Sequence, residues 1–277
     1  MPGVTRLTPS RVTGAGSAQA AAMTRTARGI AEGYGRYADV VSRMGYVMNL
    51  GAVPYQEAWQ LQRGLAGGVS QGAIPDTVVF LEHPPVVTLG RRTEEGELHI
   101  PAGAAVEIVE TDRGGKSTYH GPGQLVCYPI FDLTRYGQDV KKYCRDLEEA
   151  LIRTLAPFGL EATRIEGLTG IWLESPPRKI ASIGIHISKW VTTHGYALNV
   201  DLDLAPFTDW ITACGLEDAQ FTTIARELGR SVAVDEIRPH AAEALAEVFE
   251  LELEPLPEDA GHGLWPQPLH ERLAGTR

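Results

Sequence analysis

Residues 113–133, RGGKSTYHGPGQLVCYPIFDL, constrain the fold most, because they place glycine-rich backbone directly before an apolar run. Glycine lacks a Cβ atom, so such backbone can turn sharply and lets a ligand approach closely. The pattern predicts a short strand at 117–119, a turn at 120–124 and a partner strand that completes a hairpin. A plain glycine hairpin explains the pattern about as well as a binding loop does. A phosphate loop is excluded, because no glycine stands at position 110.

The apolar pattern of the flanking sequence predicts an α+β fold. Helical stripes run through YQEAWQLQRGLA, GQDVKKYCRDLEEALIRTLAPFG and DEIRPHAAEALAEVFELELE. Strand patterns run through TVVFLEHPPVVTLG, AVEIVETD, GIWLE, KIASIGIHISKW and THGYALNVDLDL. Because the strands mostly follow one another, we predict a mixed, largely antiparallel sheet packed with helices.

Composition divides the chain into three parts. Residues 1–43 hold six arginines, no lysine and two acids and lack apolar periodicity, so we predict a disordered N-terminal extension that is dispensable for activity. An organelle transit peptide has a similar composition. Residues 44–255 are predicted to form the folded domain, and residues 256–277 an irregular C-terminal tail. We predict a cytoplasmic protein, with organelle targeting by residues 1–43 as the alternative.

The charge and the cysteine and histidine content exclude several classes of function. The net charge of −10 argues against a general nucleic-acid binder, and no apolar run is long enough to cross a membrane. Three cysteines without a CxxC pair favour a reducing compartment over a disulfide framework. No Cys/His spacing is typical of a metal site. We therefore predict no metal and no cofactor.

Two reactive side chains stand out. In a regular strand Lys179 shares a face with Ile183, Ile185 and Ile187, and burial there disfavours its charged form. Such a lysine is a candidate proton shuttle, although a lysine at the start of a strand can also extend to water. Cys214 follows an apolar stretch and precedes a glycine, so it is a candidate nucleophile in a loop. The patterns around Cys127 and Cys144 are those of core residues.

Four segments in this order and spacing resemble the lipoyl(octanoyl) transferases, which are octanoyl-[acyl-carrier-protein]:protein N-octanoyltransferases. The segments are RGGKSTYHGPGQLVCYP, KIASIGIHI, THGYALNVDLDLAPF and ITACGL. The resemblance covers roughly residues 45–255 and implies a catalytic domain like that of the lipoate- and biotin-protein ligases.

The resemblance also implies roles for individual residues. It makes Cys214 the cysteine that carries the acyl thioester and Lys179 its catalytic partner. It assigns substrate binding to Arg113, Gly114, Gly115, Lys116, Ser117, Thr118, Tyr119, His120, Ser182, Ile183, Gly184, Gly195, Tyr196 and Ala197.

The implied reaction moves an octanoyl or lipoyl group from acyl carrier protein to a specific lysine of a lipoyl domain, as the first step of endogenous protein lipoylation. The acceptors would be the lipoyl domains of 2-oxoacid dehydrogenase complexes and the glycine cleavage H protein. Arg91 with Arg92, or Lys141 with Lys142, are candidates for docking the acidic carrier. Alternatives are an ATP-dependent ligase of the same fold, a cysteine thioesterase with His120 or His194 as base, and a non-catalytic binder of acyl carrier.

Overall fold

The computed structural model describes residues 43–212 and 220–257, and within them two sheets carry the fold. The larger sheet contains β1 (Arg43–Ala52), β2 (Thr77–Glu82), β6 (Gln124–Ile130), β7 (Ala162–Ile165), β8 (Leu168–Leu173), β9 (Arg178–Ser188), β10 (Val191–Asn199), β11 (Gln220–Phe221) and β12 (Leu251–Pro255). The smaller sheet contains β3 (Val86–Leu89), β4 (Glu107–Glu110) and β5 (Thr118–His120).

The strand order explains how the sheets are built. It is β12-β1-β2-β6-β10-β9-β8-β7 in the larger sheet, with β11 paired to β9, and β4-β3-β5 in the smaller one. The pairs β12-β1, β1-β2, β9-β11 and β3-β4 are parallel and the other pairs are antiparallel. The predicted α+β class with a mixed sheet is confirmed.

Helices cover both faces of the larger sheet. They are α1 (Tyr55–Ser70), α2 (Val140–Leu155), α3 (Ala205–Asp209), α4 (Ile224–Leu228) and α5 (Val234–Phe249). On one face, Leu61 and Leu65 of α1 are fully buried in one apolar cluster with Val126 of β6. On the other face, α2 and α5 pack against each other and bury Leu147 and Leu245. The helix predicted at 137–159 is α2, which Asp139 caps by accepting from two backbone amides and which a 3₁₀ turn extends to Gly159.

The predicted hairpin at residues 117–133 is wrong. β5 pairs with β3 in the smaller sheet, whereas β6 pairs with β2 and β10 in the larger one. Between β5 and β6 the Gly123 carbonyl accepts from the amides of Val200 and Asp201 at 3.0 and 2.9 Å. A Cβ atom at Gly123 would lie 2.4 Å from the Asp201 oxygen, and its φ of +85° also favours glycine. The glycine turn therefore joins two sheets.

Both ends of the described domain differ from the prediction. The last helix stops at Phe249, Glu250 adopts φ +53°, and residues 251–255 form β12 instead of continuing the helix. β12 pairs with β1, a strand that the sequence pattern did not reveal.

The three predicted parts of the chain are described to different extents. Nearly all of the predicted extension 1–43 and of the tail 256–277 lies outside the described residues. Among the helices that the structure describes, none combines the length and hydrophobicity that a membrane span requires.

Candidate active site

A cavity of about 380 Å³ opens beside β9 and β10 and is bordered by the loop that precedes β5. Its volume lies within the range of small-molecule sites. Fourteen of the sixteen predicted site residues line it, although they come from three separate segments of the sequence. They are Arg113, Gly114, Gly115, Lys116, Ser117, Thr118, His120, Lys179, Ser182, Ile183, Gly184, Gly195, Tyr196 and Ala197.

Tyr119 is the predicted site residue that the structure describes elsewhere. Side chains alternate along β5, so Thr118 and His120 line the cavity while Tyr119 faces the opposite way. Its ring packs edge-on against Phe207 at 5.9 Å and Trp210 at 5.7 Å, in a separate apolar cluster. Tyr119 thus supports the position of β5 rather than contacting the cavity.

Arg113 shapes the glycine loop from inside. Its buried guanidinium donates to the backbone carbonyls of Gly114 and Lys116 at 3.1 and 2.7 Å, and to the carbonyl and hydroxyl of Thr88 on β3 at 2.7 to 3.1 Å. The Gly114 amide donates to the carbonyl of Ile185 at 2.8 Å, on a part of β9 beyond the residues that pair with β8. The loop is therefore tied to both sheets, with its backbone along the cavity.

Lys116 connects the cavity to the start of the undescribed segment 213–219. Its ammonium forms an ion pair with the buried carboxylate of Glu97, which raises the pKa of Lys116. The Glu97 carbonyl in turn accepts from the amide of Thr212 at 2.9 Å. Thr212 is thereby anchored close to a residue that lines the cavity.

Lys179 lies on a different face of β9 from the predicted one. Ile171 of β8 pairs with Ala181 but Trp172 pairs with Lys179, so Ile180 is an additional residue in β9. In such a bulge two consecutive side chains point to the same side, and Ile180 and Ala181 are both fully buried in the cluster beneath α2 and α5. Lys179 consequently leaves the isoleucine face and lines the cavity with Ser182.

The surroundings of Lys179 hold its side chain closely. It is only 6% exposed, and its Nζ atom lies 5.2 Å from the ring centroid of Trp172, in a cation–π contact. Gly170 permits this position, because a Cβ atom there would lie 2.8 Å from the Lys179 Cε atom. Its φ of +107° also favours glycine. Trp172 was not predicted as a site residue, since an apolar strand gives no signal that one ring faces a cavity.

The two cysteines that the structure describes lie in different environments. Cys127 is fully buried in β6, as predicted, and burial raises its pKa far above the ordinary value. Cys144 is only partly buried and lines the cavity, contrary to the prediction of a core position. Burial and then the nearby Glu148 carboxylate raise its pKa, so it is a poor nucleophile. Cys214 lies outside the described residues.

His120 belongs to a buried chain of hydrogen bonds whose direction is fixed. The Thr222 carbonyl accepts from Asn199 Nδ2 at 3.1 Å, so Asn199 Oδ1 accepts from Gln124 Nε2 at 2.9 Å. Gln124 Oε1 then accepts from His120 Nδ1 at 2.7 Å, which leaves Nε2 as an acceptor towards the Thr88 hydroxyl at 3.5 Å. Burial holds the pKa of His120 well below the ordinary value, in agreement with a neutral ring.

A second group of buried aromatic and imidazole rings lies beside this chain. His83 Nδ1 donates to the Val53 carbonyl at 2.6 Å, so Nε2 of the neutral ring accepts from the Tyr128 hydroxyl at 2.7 Å. The ring of Tyr55 stacks on His120 at 6.0 Å and lies 5.1 Å from His83. Burial lowers the pKa of His83 to about 4. Both neutral histidines therefore contribute shape and hydrogen bonds at neutral pH rather than charge.

Within residues 43–212 and 220–257, no cluster of three His, Cys, Asp or Glu side chains has the arrangement that a metal ion requires.

Comparison with known proteins identifies the family. Residues 54–246 match the model of the lipoyl protein ligase A/B catalytic domain. The chain belongs to this family. A curated relative named octanoyltransferase, from Mycobacterium tuberculosis, is 52% identical over 201 residues, which cover 72% of this chain and 84% of the relative. Another of that name, from Chloroflexus aurantiacus, is 48% identical over 208 residues and covers 73% and 93%. The predicted octanoyltransferase membership, and with it an acyltransferase enzyme, is confirmed.

Solved structures agree with the fold. The bipartite lipoate protein ligase of Thermoplasma acidophilum, whose structural study includes its E2 lipoyl domain, matches with a TM-score of 0.64 and 17% identity over 85% of this chain and 93% of that chain. A lipoate-protein ligase A bound with ATP matches with a TM-score of 0.61 and 15% identity over 86% and 96%. The predicted lipoate-ligase-like architecture is confirmed.

Proposed function

We propose that this octanoyltransferase moves an octanoyl group from acyl carrier protein to a specific lysine of a lipoyl domain through a thioester on Cys214. The observation that carries the proposal is the position of Lys179, a nearly buried amine on the wall of the cavity. Phe221, which follows the segment 213–219 closely, pairs with Lys179 in parallel register. Thr212, which precedes that segment, is tied to Glu97 beside Lys116. Both flanks of the segment that contains Cys214 are thus anchored near the cavity.

The chemistry needs two steps. A Cys214 thiolate attacks the carrier thioester, and the Lys179 ammonium gives a proton to the departing carrier thiolate, which leaves as the thiol. Exchange of one thioester for another is nearly neutral in free energy, so a stabilised thiolate suffices for this step. The amine of the acceptor lysine then attacks the acyl-enzyme, and the neutral Lys179 accepts one of its protons. Amide formation from a thioester is favourable without ATP.

The acyl-enzyme can be tested directly. Incubation with octanoyl-acyl carrier protein should add one octanoyl group to Cys214, and Cys214→Ala should abolish both the adduct and transfer to a lipoyl domain. Peptide mapping by mass spectrometry identifies the modified cysteine. Cys127→Ala is the matched control, because its sulfur is fully buried in β6 and should affect stability only.

Related assays distinguish this reaction from the alternative functions. An adduct on Cys144 would refute the assignment of Cys214. Transfer from free octanoate that depends on ATP would indicate a ligase, and release of octanoic acid without acceptor would indicate a thioesterase. Binding of the carrier without any adduct would indicate a non-catalytic binder.

The acidic carrier is proposed to dock at Arg91 and Arg92. Both side chains are exposed, and Arg92 lines the cavity. Their backbone amides donate to the carbonyls of Arg113 and Gly115 at 3.1 and 3.0 Å, so the two arginines are attached to the glycine loop. The alternative candidate Lys142 is already paired with Asp146 at 2.6 Å.

Reversing the charges of Arg91 and Arg92 should weaken the binding of octanoyl-acyl carrier protein but not that of a small octanoyl donor. Arg91→Glu combined with Arg92→Glu should raise KM for octanoyl-acyl carrier protein at least tenfold at low salt, because complementary charge speeds association. KM for octanoyl-pantetheine, which lacks the carrier protein, should stay within twofold of the wild-type value. Lys141→Glu combined with Lys142→Glu is the matched control, and a larger effect in that pair would refute the arginine site.

A further inference from the structure

Tyr55, His194 and Asp112 form a chain of hydrogen bonds that ends at the cavity. The Tyr55 hydroxyl lies 3.3 Å from His194 Nδ1, and His194 Nε2 lies 2.7 Å from Asp112 Oδ1. The three residues come from the start of α1, from β10 and from the loop before Arg113. Tyr55 and His194 both line the cavity, whereas Asp112 lies behind the imidazole. The fold has therefore joined three distant segments into one polar chain.

The Asp112 carboxylate at one end of the chain fixes which atom donates in each hydrogen bond. A carboxylate only accepts, so His194 Nε2 carries the proton and donates to Asp112. Nδ1 then has a free electron pair, and the Tyr55 hydroxyl donates to it. The hydrogen bond from His194 holds the pKa of Asp112 below its usual value, and burial holds the pKa of His194 below its own. At neutral pH the chain is a hydroxyl, a neutral imidazole and a carboxylate, which is the order that nucleophile-activating triads use.

The backbone at His194 is held in an unusual conformation. Its φ is +57° within β10, although it is not a glycine, and its amide donates to the side chain of Gln62 at 2.6 Å. Non-glycine residues in this region are strained, and such strain concentrates at functional sites. Gln62 on α1 therefore helps to hold the imidazole between Tyr55 and Asp112.

Several other ionisable groups lie next to the chain. His186 lies 3.7 Å from the second oxygen of Asp112, and Arg113 acts on both Tyr55 and His194 through its charge. The ring of Tyr128 faces His194 at 6.3 Å, and the rings of His83 and His120 flank Tyr55. None of these side chains takes the place of Asp112 at His194 Nε2 among the described contacts.

We propose that Tyr55, His194 and Asp112 are a proton relay for the amide-forming step. The proposal rests on the thioester route described above. An acceptor lysine that enters as an ammonium must lose two protons to become an amide nitrogen. Formation of the C–N bond breaks the C–S bond and leaves the electron pair on the Cys214 sulfur. Neutral Lys179 takes one proton and becomes the ammonium that pairs with this thiolate.

The relay accounts for the second proton. That proton passes to the Tyr55 oxygen while the Tyr55 hydroxyl proton passes to His194 Nδ1. The resulting imidazolium is stabilised by the Asp112 carboxylate and later releases its proton to solvent. Tyr55 contacts the reacting amine in this scheme and is a catalytic residue, whereas Asp112 acts through His194 and is a positioning residue.

The two half-reactions test the relay. In Tyr55→Phe, loading of octanoyl on Cys214 should proceed at the wild-type rate, and discharge to a lipoyl-domain lysine should slow at least tenfold in single-turnover measurements, because proton transfer in such steps contributes about 10²-fold or more. Discharge to hydroxylamine, which is uncharged at neutral pH and has one proton fewer to lose, should slow by less than threefold. Tyr143→Phe is the matched control, because it removes a buried hydroxyl bonded to the Pro129 carbonyl outside the cavity.

Asp112→Asn provides an independent variant that does not alter Tyr55. It should slow discharge to lysine and shift the pH profile of that step, while the profile of loading stays as in the wild type. A wild-type rate of discharge in Tyr55→Phe would overturn the relay. Equal slowing of loading and discharge would also overturn it, because it would indicate a structural role for Tyr55. Absence of any adduct in the unmodified enzyme would overturn the thioester route, and the relay with it.

Discussion

Replacing Lys179 with methionine is expected to slow octanoyl transfer by about 10²- to 10⁴-fold, the usual contribution of a positioned acid and base. Methionine keeps an apolar stem against Trp172 but removes the ammonium that would stabilise a thiolate. The pH midpoint for alkylation of Cys214 by iodoacetamide should therefore move upwards. The measurements are the rate of transfer to a lipoyl domain and the rate of alkylation as a function of pH.

Lys189→Met is the matched control for this prediction. Lys189 lies just beyond the other end of β9 and is exposed, so the variant removes a positive charge from the same hairpin without touching the cavity. It should transfer octanoyl groups at the wild-type rate. If Lys179→Met left the alkylation profile of Cys214 unchanged, the proposed pairing of these two residues would be wrong.

Acidification is expected to destabilise the fold strongly between pH 6.5 and 4. Burial lowers the pKa of His83 to about 4, against 6.5 for an ordinary histidine. Between these values the unfolded chain binds a proton that the folded chain does not, so stability is complete above pH 6.5 and is lost as the pH falls. His83 alone should remove ~3 kcal/mol from the free energy of unfolding over this window, at ~1.4 kcal/mol per pH unit. His120 and His194, whose pKa values are also lowered, should steepen the loss.

Urea denaturation across this pH window measures the effect. His83→Gln keeps a polar side chain near Tyr128 but cannot titrate, so the slope of unfolding free energy against pH should fall by about one proton. His99→Gln is the control, because His99 is exposed and the slope should remain that of the wild type. An unchanged slope in His83→Gln would show that His83 is not a source of the acid sensitivity.

The sequence predicted which residues line the cavity better than it predicted how the strands around the cavity pair. The residues that line the cavity occur in contiguous motifs, so they could be predicted without knowing which strands pair. The hairpin prediction failed because the partner of β5 is β3, about thirty residues earlier in the chain, and local turn chemistry carries no information about that pairing. The approach of Tyr55 to His194 joins residues 139 positions apart, and no periodicity reveals it.

The predicted face of Lys179 on β9 was wrong for a related reason. Strict alternation assigns it to the isoleucine face, and only the register against β8 shows the additional residue at Ile180. The predicted last helix is too long because the apolar positions of Leu251 and Leu253 suit a helix as well as a strand. Their pairing with β1 decides between the two, and β1 itself lacks a strong pattern.

The bulge at Ile180 determines which side of β9 carries Lys179. In a regular register, without Ile180 as an additional residue, Lys179 would share the face of Ala181, which is buried beneath α2 and α5. Because side chains alternate along a strand, one inserted residue reverses the side to which every preceding side chain points.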